Sequence, residues 1–240
     1  MRSAALLLIA LALGGCETTA EKSAQLEKAA LLKAKTKAAG IAGLSVKSVS
    51  RKIKVLATAI IPGNEGGAAV VTVANTSASA LSRIPISIDV KDSSGKSIYS
   101  NSAPGLSPSL VSIASLPAHG ILTWVDDQIQ ASGRPASVSA RVGEGSAVTG
   151  ALPAIVVKET AQNEESGESG AEGTVSNPST VSQQELAVYG VARSGARIVA
   201  AGRAVIPQVK PGASMHFQLF FVGSPKGAQL HFAAPSMPGG

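Results

Sequence analysis

Residues 84–101 read IPISIDVKDSSGKSIYSN. Ile86, Ile88 and Val90 alternate with Ser87, Asp89 and Lys91, the period-2 pattern of a strand with one buried and one wetted face. Asp92-Ser93-Ser94-Gly95 then supplies turn formers before a second short run. The same grammar extends in both directions. Upstream, strands are predicted over 53–61 and 68–75, divided by Pro62-Gly63-Asn64-Glu65-Gly66-Gly67; downstream they fall at 110–115, 120–126 and 136–142. A second series follows at 154–159, 173–177, 185–192, 196–202, 204–209, 214–222 and 228–234. Many short strands at this spacing predict an all-β chain of sandwich type.

The two series share landmarks. Val73-Ala74-Asn75-Thr76-Ser77 aligns with Val175-Ser176-Asn177-Pro178-Ser179, and the Ser94-Gly95 turn with Ser194-Gly195. Pro117-Ala118 aligns with Pro211-Gly212, and with one residue of slip Leu122 and Trp124 fall on Phe217 and Leu219. The expectation is a tandem pair of immunoglobulin-like β-sandwiches, domain 1 over 45–143 and domain 2 over 153–235. They would be joined by a short linker at 144–152 and followed by a flexible tail at 236–240. An Asn-x-Ser before a strand, a Ser-Gly turn, and a Pro-Gly step before a core aromatic resemble the FxLYD and CARDB-like modules of bacterial surface proteins. That resemblance implies binding or scaffolding without catalysis.

The first sixteen residues, MRSAALLLIALALGGC, set a different problem. Arg2 is followed by an unbroken apolar run over 4–13. As a helix it would be about 15 Å long, half the thickness of a bilayer core, which suits a cleavable leader better than a span. Leu13-Gly14-Gly15-Cys16 resembles the lipobox of bacterial lipoproteins. The resemblance implies a leader at 1–15 that is removed and a diacylated Cys16, attaching the chain to membrane lipid with its body facing outward. Glu17 after the cysteine implies the outer membrane where the source has two.

Charge is concentrated next to this segment. Residues 17–54 hold nine Lys and Arg against three Glu, whereas the chain as a whole is only +6. A basic stretch beside a lipid anchor is drawn to anionic headgroups, and Lys22, Lys28, Lys33, Lys35 and Lys37 are the residues placed to do so. The stretch 17–54 has no aromatic residue, which argues against nucleic acid as a partner. Residues 20–39 are rich in Ala, Leu, Lys and Glu and predict a helix. Its lysines fall all round the circumference, so within 16–44 it reads as a tether that lifts the body off the membrane. The sharper alternative is that Leu26, Ala30 and Leu31 pack against a partner helix or the body.

Chemistry-bearing residues are sparse. One cysteine excludes an internal disulfide, and three histidines, at 119, 216 and 231, leave little for acid–base work. No catalytic motif, metal site or cofactor fingerprint is found, and no catalytic or metal-ligating residue is assigned. His216 and His231 would become neighbours if 214–222 and 228–234 form one hairpin, but two imidazoles fall short of a zinc site. Asp126-Asp127 could hold a cation, although adjacent strand carboxylates point to opposite faces. The acidic run NEESGESGAEG at 163–173 reads as a flexible loop, and Trp124 as a core anchor. The function expected is a non-catalytic envelope lipoprotein offering two modules to an envelope protein or polymer. The alternative is a solute-binding or enzyme-accessory lipoprotein with a ligand site between the sandwiches.

Overall fold

A computed structural model describes residues 19–33, 45–64, 66–103, 105–131, 133–165 and 168–239. Cys16, the leader 1–15, Lys35 and Lys37 lie outside those residues, as do the side chains of Ala30, Leu31 and Lys33. Among the described residues the chain is all-β apart from two helices. It opens with α1 (Thr19–Lys33). The first half then forms β1 (Ile53–Pro62), β2 (Gly67–Asn75), β3 (Leu81–Lys91) and β4 (Ser97–Ser100), followed by a one-turn helix α2 (Pro108–Val111). It continues through β5 (Ser112–Leu116), β6 (Ile121–Ile129), β7 (Ser137–Val142) and β8 (Ser146–Ala147). The second half forms β9 (Val156–Glu165), β10 (Glu168–Ser176), β11 (Gln183–Ser194) and β12 (Arg197–Val209), then β13 (Ser214–Phe220), β14 (Val222–Gly223) and β15 (Gln229–Ala233).

These strands make antiparallel sheets with strand orders β1-β2-β6, β13-β10-β9 and β14-β12-β11-β15, and a fourth centred on β3, which pairs with β4, β5, β7 and β8. The sheets stack in four layers. The middle two, β1-β2-β6 and β14-β12-β11-β15, press against each other. This explains β11, whose sequence LAVYGVA is apolar without alternation. Leu186, Val188 and Ala192 face the core of the second half, while Ala187, Tyr189 and Val191 join the core built from β1, β2, β3 and β6. A strand covered on both sides has no wetted face to mark with polar residues.

Both halves use the same turn. Asn75 Nδ2 donates to the carbonyls of Ser79 (2.8 Å) and Pro117 (2.9 Å), and its Oδ1 accepts from the amide and hydroxyl of Ser77. Asn177 Nδ2 donates to Val181 (2.8 Å) and Val209 (3.0 Å), and its Oδ1 accepts from the amide and hydroxyl of Ser179. An Asn does this because one planar group carries donors and an acceptor. The ladders that lead away from these turns correct the sequence alignment. Val71 and Gly173 each lie four residues before their Asn, and their partners are Trp124 and Phe217. Trp124 therefore corresponds to Phe217 and not to Leu219. Likewise His119, at φ 55°, holds the left-handed position that Gly212 takes at φ 70°, one step from the predicted match.

Several expectations change. Residues 110–115 are not one strand: Pro108 starts α2 in its first turn, where a missing N–H costs nothing, and the strand begins at Ser112. The ranges 196–202 and 204–209 are a single strand, β12, running straight through Arg203. The acidic run at 163–173 is not a loop, because β9 and β10 pair up to Glu165 and from Glu168. Part of the predicted linker 144–152 is strand, since Ser146 and Ala147 pair with β3. Residues 236–239 are not a loose tail: the Met237 amide donates to Gln183 Oε1 at 2.6 Å, and Gln183 Nε2 donates back to the Met237 carbonyl.

The largest correction concerns the tether. α1 does not stand off the body but lies on β6, β12 and β13, burying Ala20, Ser23 and Glu27. Spacings of three and four put those residues on one helical face. The alternative of packing on the body thus holds, although of its three named residues, Leu26, Ala30 and Leu31, Leu26 is 41% exposed and the other two side chains lie outside the described residues. No helix among the described residues is long and apolar enough to cross a membrane.

Candidate functional site

The seam between the two middle sheets holds a buried polar cluster. Its centre is Arg203 on β12, whose side chain is 1% exposed. Three segments distant in sequence converge on it. From α1, Glu27 Oε2 lies 2.7 Å from Arg203 Nη2. From β6, Asp127 Oδ2 accepts the Arg203 backbone amide at 2.9 Å, and Asp127 Oδ1 sits 3.4 Å from Arg203 Nε, close enough for ionic attraction but outside hydrogen-bonding geometry. From α2, the Ser109 hydroxyl accepts from Arg203 Nη1 at 2.8 Å.

Ser109 also ties the seam through its carbonyl, which accepts from Trp124 Nε1 (2.8 Å) and from the Tyr189 hydroxyl (3.3 Å). Trp124 is fully buried, the core anchor its sequence context indicated. α1 adds two further contacts. The Ser23 hydroxyl donates to Asp127 Oδ2 (2.8 Å), and Glu27 Oε2 accepts from Gln128 Nε2 (2.9 Å). Lys22 stands over the Phe220 ring, 4.3 Å from its centroid.

Alternation along β6 divides the two aspartates. Asp127 points across the seam to Arg203, and Asp126 points the other way, where the Tyr99 hydroxyl donates to its Oδ2 at 2.7 Å. Burial pushes the Asp126 carboxyl up to about 6. Burial also raises Asp127, against the pull of Arg203 and Ser23. At Glu27 burial is outweighed: the Arg203 charge and hydrogen bonds from Arg203, Ser107 and Gln128 hold its carboxyl below the usual value. Burial works against the Arg203 charge as well, but Glu27 and Asp127 keep the guanidinium protonated beyond its ordinary range. Tyr99 and Tyr189 are both raised, chiefly by burial. The guanidinium thus remains charged and serves as a fastening, not as an acid or base.

Beside this cluster a groove of about 190 Å³ runs between α1 and strands β12 and β13, walled by Leu26, Val205, Pro207, Met215 and Phe217. The histidines of the sequence analysis do not meet. His216 is on β13, paired with β10, while His231 is on β15, paired with β11. His216 instead lies 3.4 Å from Glu172. No group of three or more His, Cys, Asp or Glu capable of holding a metal ion occurs among the described residues. Of the residues proposed for headgroup contact, Lys28 is exposed and Lys22 is half-buried against Phe220.

Arg203 was missed in the sequence. The available signal was a lone charge inside the apolar run AGRAVI at 201–206, because a buried strand can carry such a residue only beside a counter-charge.

No family model matches the chain, and no curated protein matches it. Among solved structures, the exo-chitosanase CsxA of Amycolatopsis orientalis aligns over 70% of this chain and 24% of its own, with 14% identity and a TM-score of 0.27. A red sea bream transglutaminase aligns over 79% of this chain and 30% of its own, with 12% identity and a TM-score of 0.25. The chain therefore spans 24% and 30% of the lengths of these two larger proteins.

Proposed function

We propose that the chain is a non-catalytic envelope lipoprotein, a tandem pair of sandwich modules held to a membrane through Cys16 and offered to a protein or polymer of the envelope. The observation that carries this reading is the seat of α1. The helix begins at Thr19, three residues after Cys16, and Glu27 and Ser23 fix it to both halves of the body. Three residues reach at most about 11 Å. An acylated Cys16 would thus hold the body close to the bilayer as one rigid piece, where the sequence alone suggested a spacer. Two or three acyl chains, at about 0.8 kcal/mol per buried methylene, suffice for lasting attachment. The positive charges of Lys22, Lys28, Lys33, Lys35 and Lys37 would add attraction to anionic headgroups. The work done is confinement: a partner that shares the membrane plane meets these modules at raised effective concentration.

The test is metabolic labelling with an alkyne palmitate, followed by detergent-phase partition and mass spectrometry of the mature amino terminus. A labelled chain that begins at Cys16 and enters the detergent phase is expected, with both properties lost in Cys16→Ala. An unmodified thiol or an uncut leader overturns the reading.

A further inference from the structure

The two middle sheets are unequal. Among the described residues β14, β12 and β11 pack on β1, β2 and β6, and β15, the fourth strand, extends beyond the three-stranded opposing sheet. The vacant position is a cleft of about 240 Å³ lined by Ile121 and Thr123 of β6, Tyr189, Val191 and Arg193 of β11, and His231 of β15.

The cleft has three properties that together describe its occupant. First, β6 is an edge strand. The Asn75 amide bonds the Gly120 carbonyl at 2.9 Å, and Ala74 pairs with Ile121. Antiparallel alternation then commits the backbone groups of Leu122 and Trp124 to β2 and turns those of Ile121 and Thr123 outward. α1 bonds this edge at Asp127 and Gln128, whereas at Ile121 and Thr123 the edge borders the cleft. Second, the walls are mixed, with Ile121 and Val191 set beside Thr123, Arg193 and His231, and Ile121 is 65% exposed. Third, the charge is one-sided. Val191 pairs with His231, so Arg193, two residues along, shares its face; neither basic side chain has an acidic partner among the described residues, and no carboxylate lines the cleft.

We propose that an extended, carboxylate-bearing peptide binds here as a fourth strand on β6, lying over β15 with its carboxylate at Arg193 and His231. Main-chain bonds to Ile121 and Thr123 would supply affinity and the basic pair would supply selectivity, the division of labour seen when a peptide completes a sheet. The inference gives a site and a ligand chemistry to the interaction function proposed above.

The test is a library of random hexapeptides, synthesised once with free and once with amidated carboxyl termini. It is screened against the full chain in detergent micelles, and hits are titrated by fluorescence anisotropy. Hits are expected to weaken at least about tenfold in Arg193→Gln, the loss of one charge-assisted contact. They should also slow hydrogen exchange at the Thr123 amide, which an ionic surface contact alone does not do. Loss of binding on amidation assigns the carboxylate to the peptide terminus, and hits that tolerate amidation but require Asp or Glu assign it to a side chain. Hits that bind Arg193→Gln equally well, a library without hits, or a wild-type chain that fills the slot by pairing with a second copy would each overturn the proposal. Because peptide binding does not need acylation, it can fail while Cys16 labelling succeeds, and the reverse.

Discussion

Glu27 and Arg203, 176 residues apart, form a 2.7 Å ion pair in which both side chains are more than nine-tenths buried. The helix that carries Glu27 has no apolar stripe, so hydrophobic burial alone gives it no preferred face. The pair selects one. Buried ion pairs add little net stability, since desolvation offsets attraction, but removing one member leaves an uncompensated charge. Here one guanidinium faces two carboxylates, which makes the arginine the more costly loss.

Arg203→Met should therefore destabilise the fold by about 3–5 kcal/mol, and the triple variant Glu27→Gln, Asp127→Asn, Arg203→Met should recover much of that. Urea unfolding of the single and triple variants measures both. A triple variant no more stable than Arg203→Met alone would show that the loss comes from packing and not from stranded charge.

The equivalent turns give a paired prediction. Asn75→Ala and Asn177→Ala each strand several buried backbone groups, and each should cost about 2–4 kcal/mol. Asn→Asp should be no better at either site, because the donors that Ser79 and Val181 receive would become acceptors facing acceptors. Thermal melts of the four variants check this, and a mild effect of Asn75→Asp would contradict the assigned amide orientation.

Asp126 predicts a pH dependence. Its folded-state value of about 6 lies above the ordinary 3.8, so between the two the folded protein keeps a proton that the unfolded chain releases. Its contribution is thus most favourable below about 4 and declines as pH rises through 6, by about 3 kcal/mol in total. Glu27 runs the opposite way: its lowered value gives stability that is present above 4.5 and lost as the pH falls further. Asp126→Asn should remove the Asp126 part of the first slope and leave the contributions of Asp127, which is raised as well, and of Glu27. Unfolding free energies of both proteins between pH 4 and 7.5 should converge towards the acid end; parallel curves would remove Asp126 as the cause.

Gly202 precedes Arg203 where β12 passes close to β13. A Cβ there would fall 2.1 Å from the Phe220 carbonyl oxygen and 2.7 Å from a Leu219 methyl. Gly202→Ala must separate these strands, which also carry the groove beside α1. A loss of about 2–4 kcal/mol is expected from overpacking and a lengthened seam. It should be accompanied by faster proteolysis within α1, which limited digestion reads directly.

What could be read from the sequence divides along physical lines. Strands with one wet face, such as β3, declare themselves through alternation, and the Asn-x-Ser turns through side chains that only a turn requires. Trp124 is legible because a lone large aromatic in a β pattern has few other places to go. Arg203 shows only as a lone charge in an apolar run, and Glu27 not at all, because hydrophobic periodicity treats charge as surface, and here both charges are inside with each other. The same blindness turned a docked helix into a spacer, since its seating face is Ala, Ser and Glu. At 163–173 composition argued for a loop, but ladder pairing along β9 and β10 outweighs weak strand propensity. The cleft over β15 could not be anticipated at all, since it results from one sheet having a strand fewer than its neighbour.

The bond between Met237 and Gln183 has a mechanical consequence. Gln183 pairs with Val209 at one end of the β11–β12 hairpin, and Asn177 bonds the Val209 carbonyl at that same end. Lys22 stands at Phe220, the far end of β13, about 20 Å away by strand rise. Tension applied between Lys22 and Met237 would run lengthwise along the second half and strain its rungs in concert, a shearing load that paired strands withstand far better than being unzipped one rung at a time.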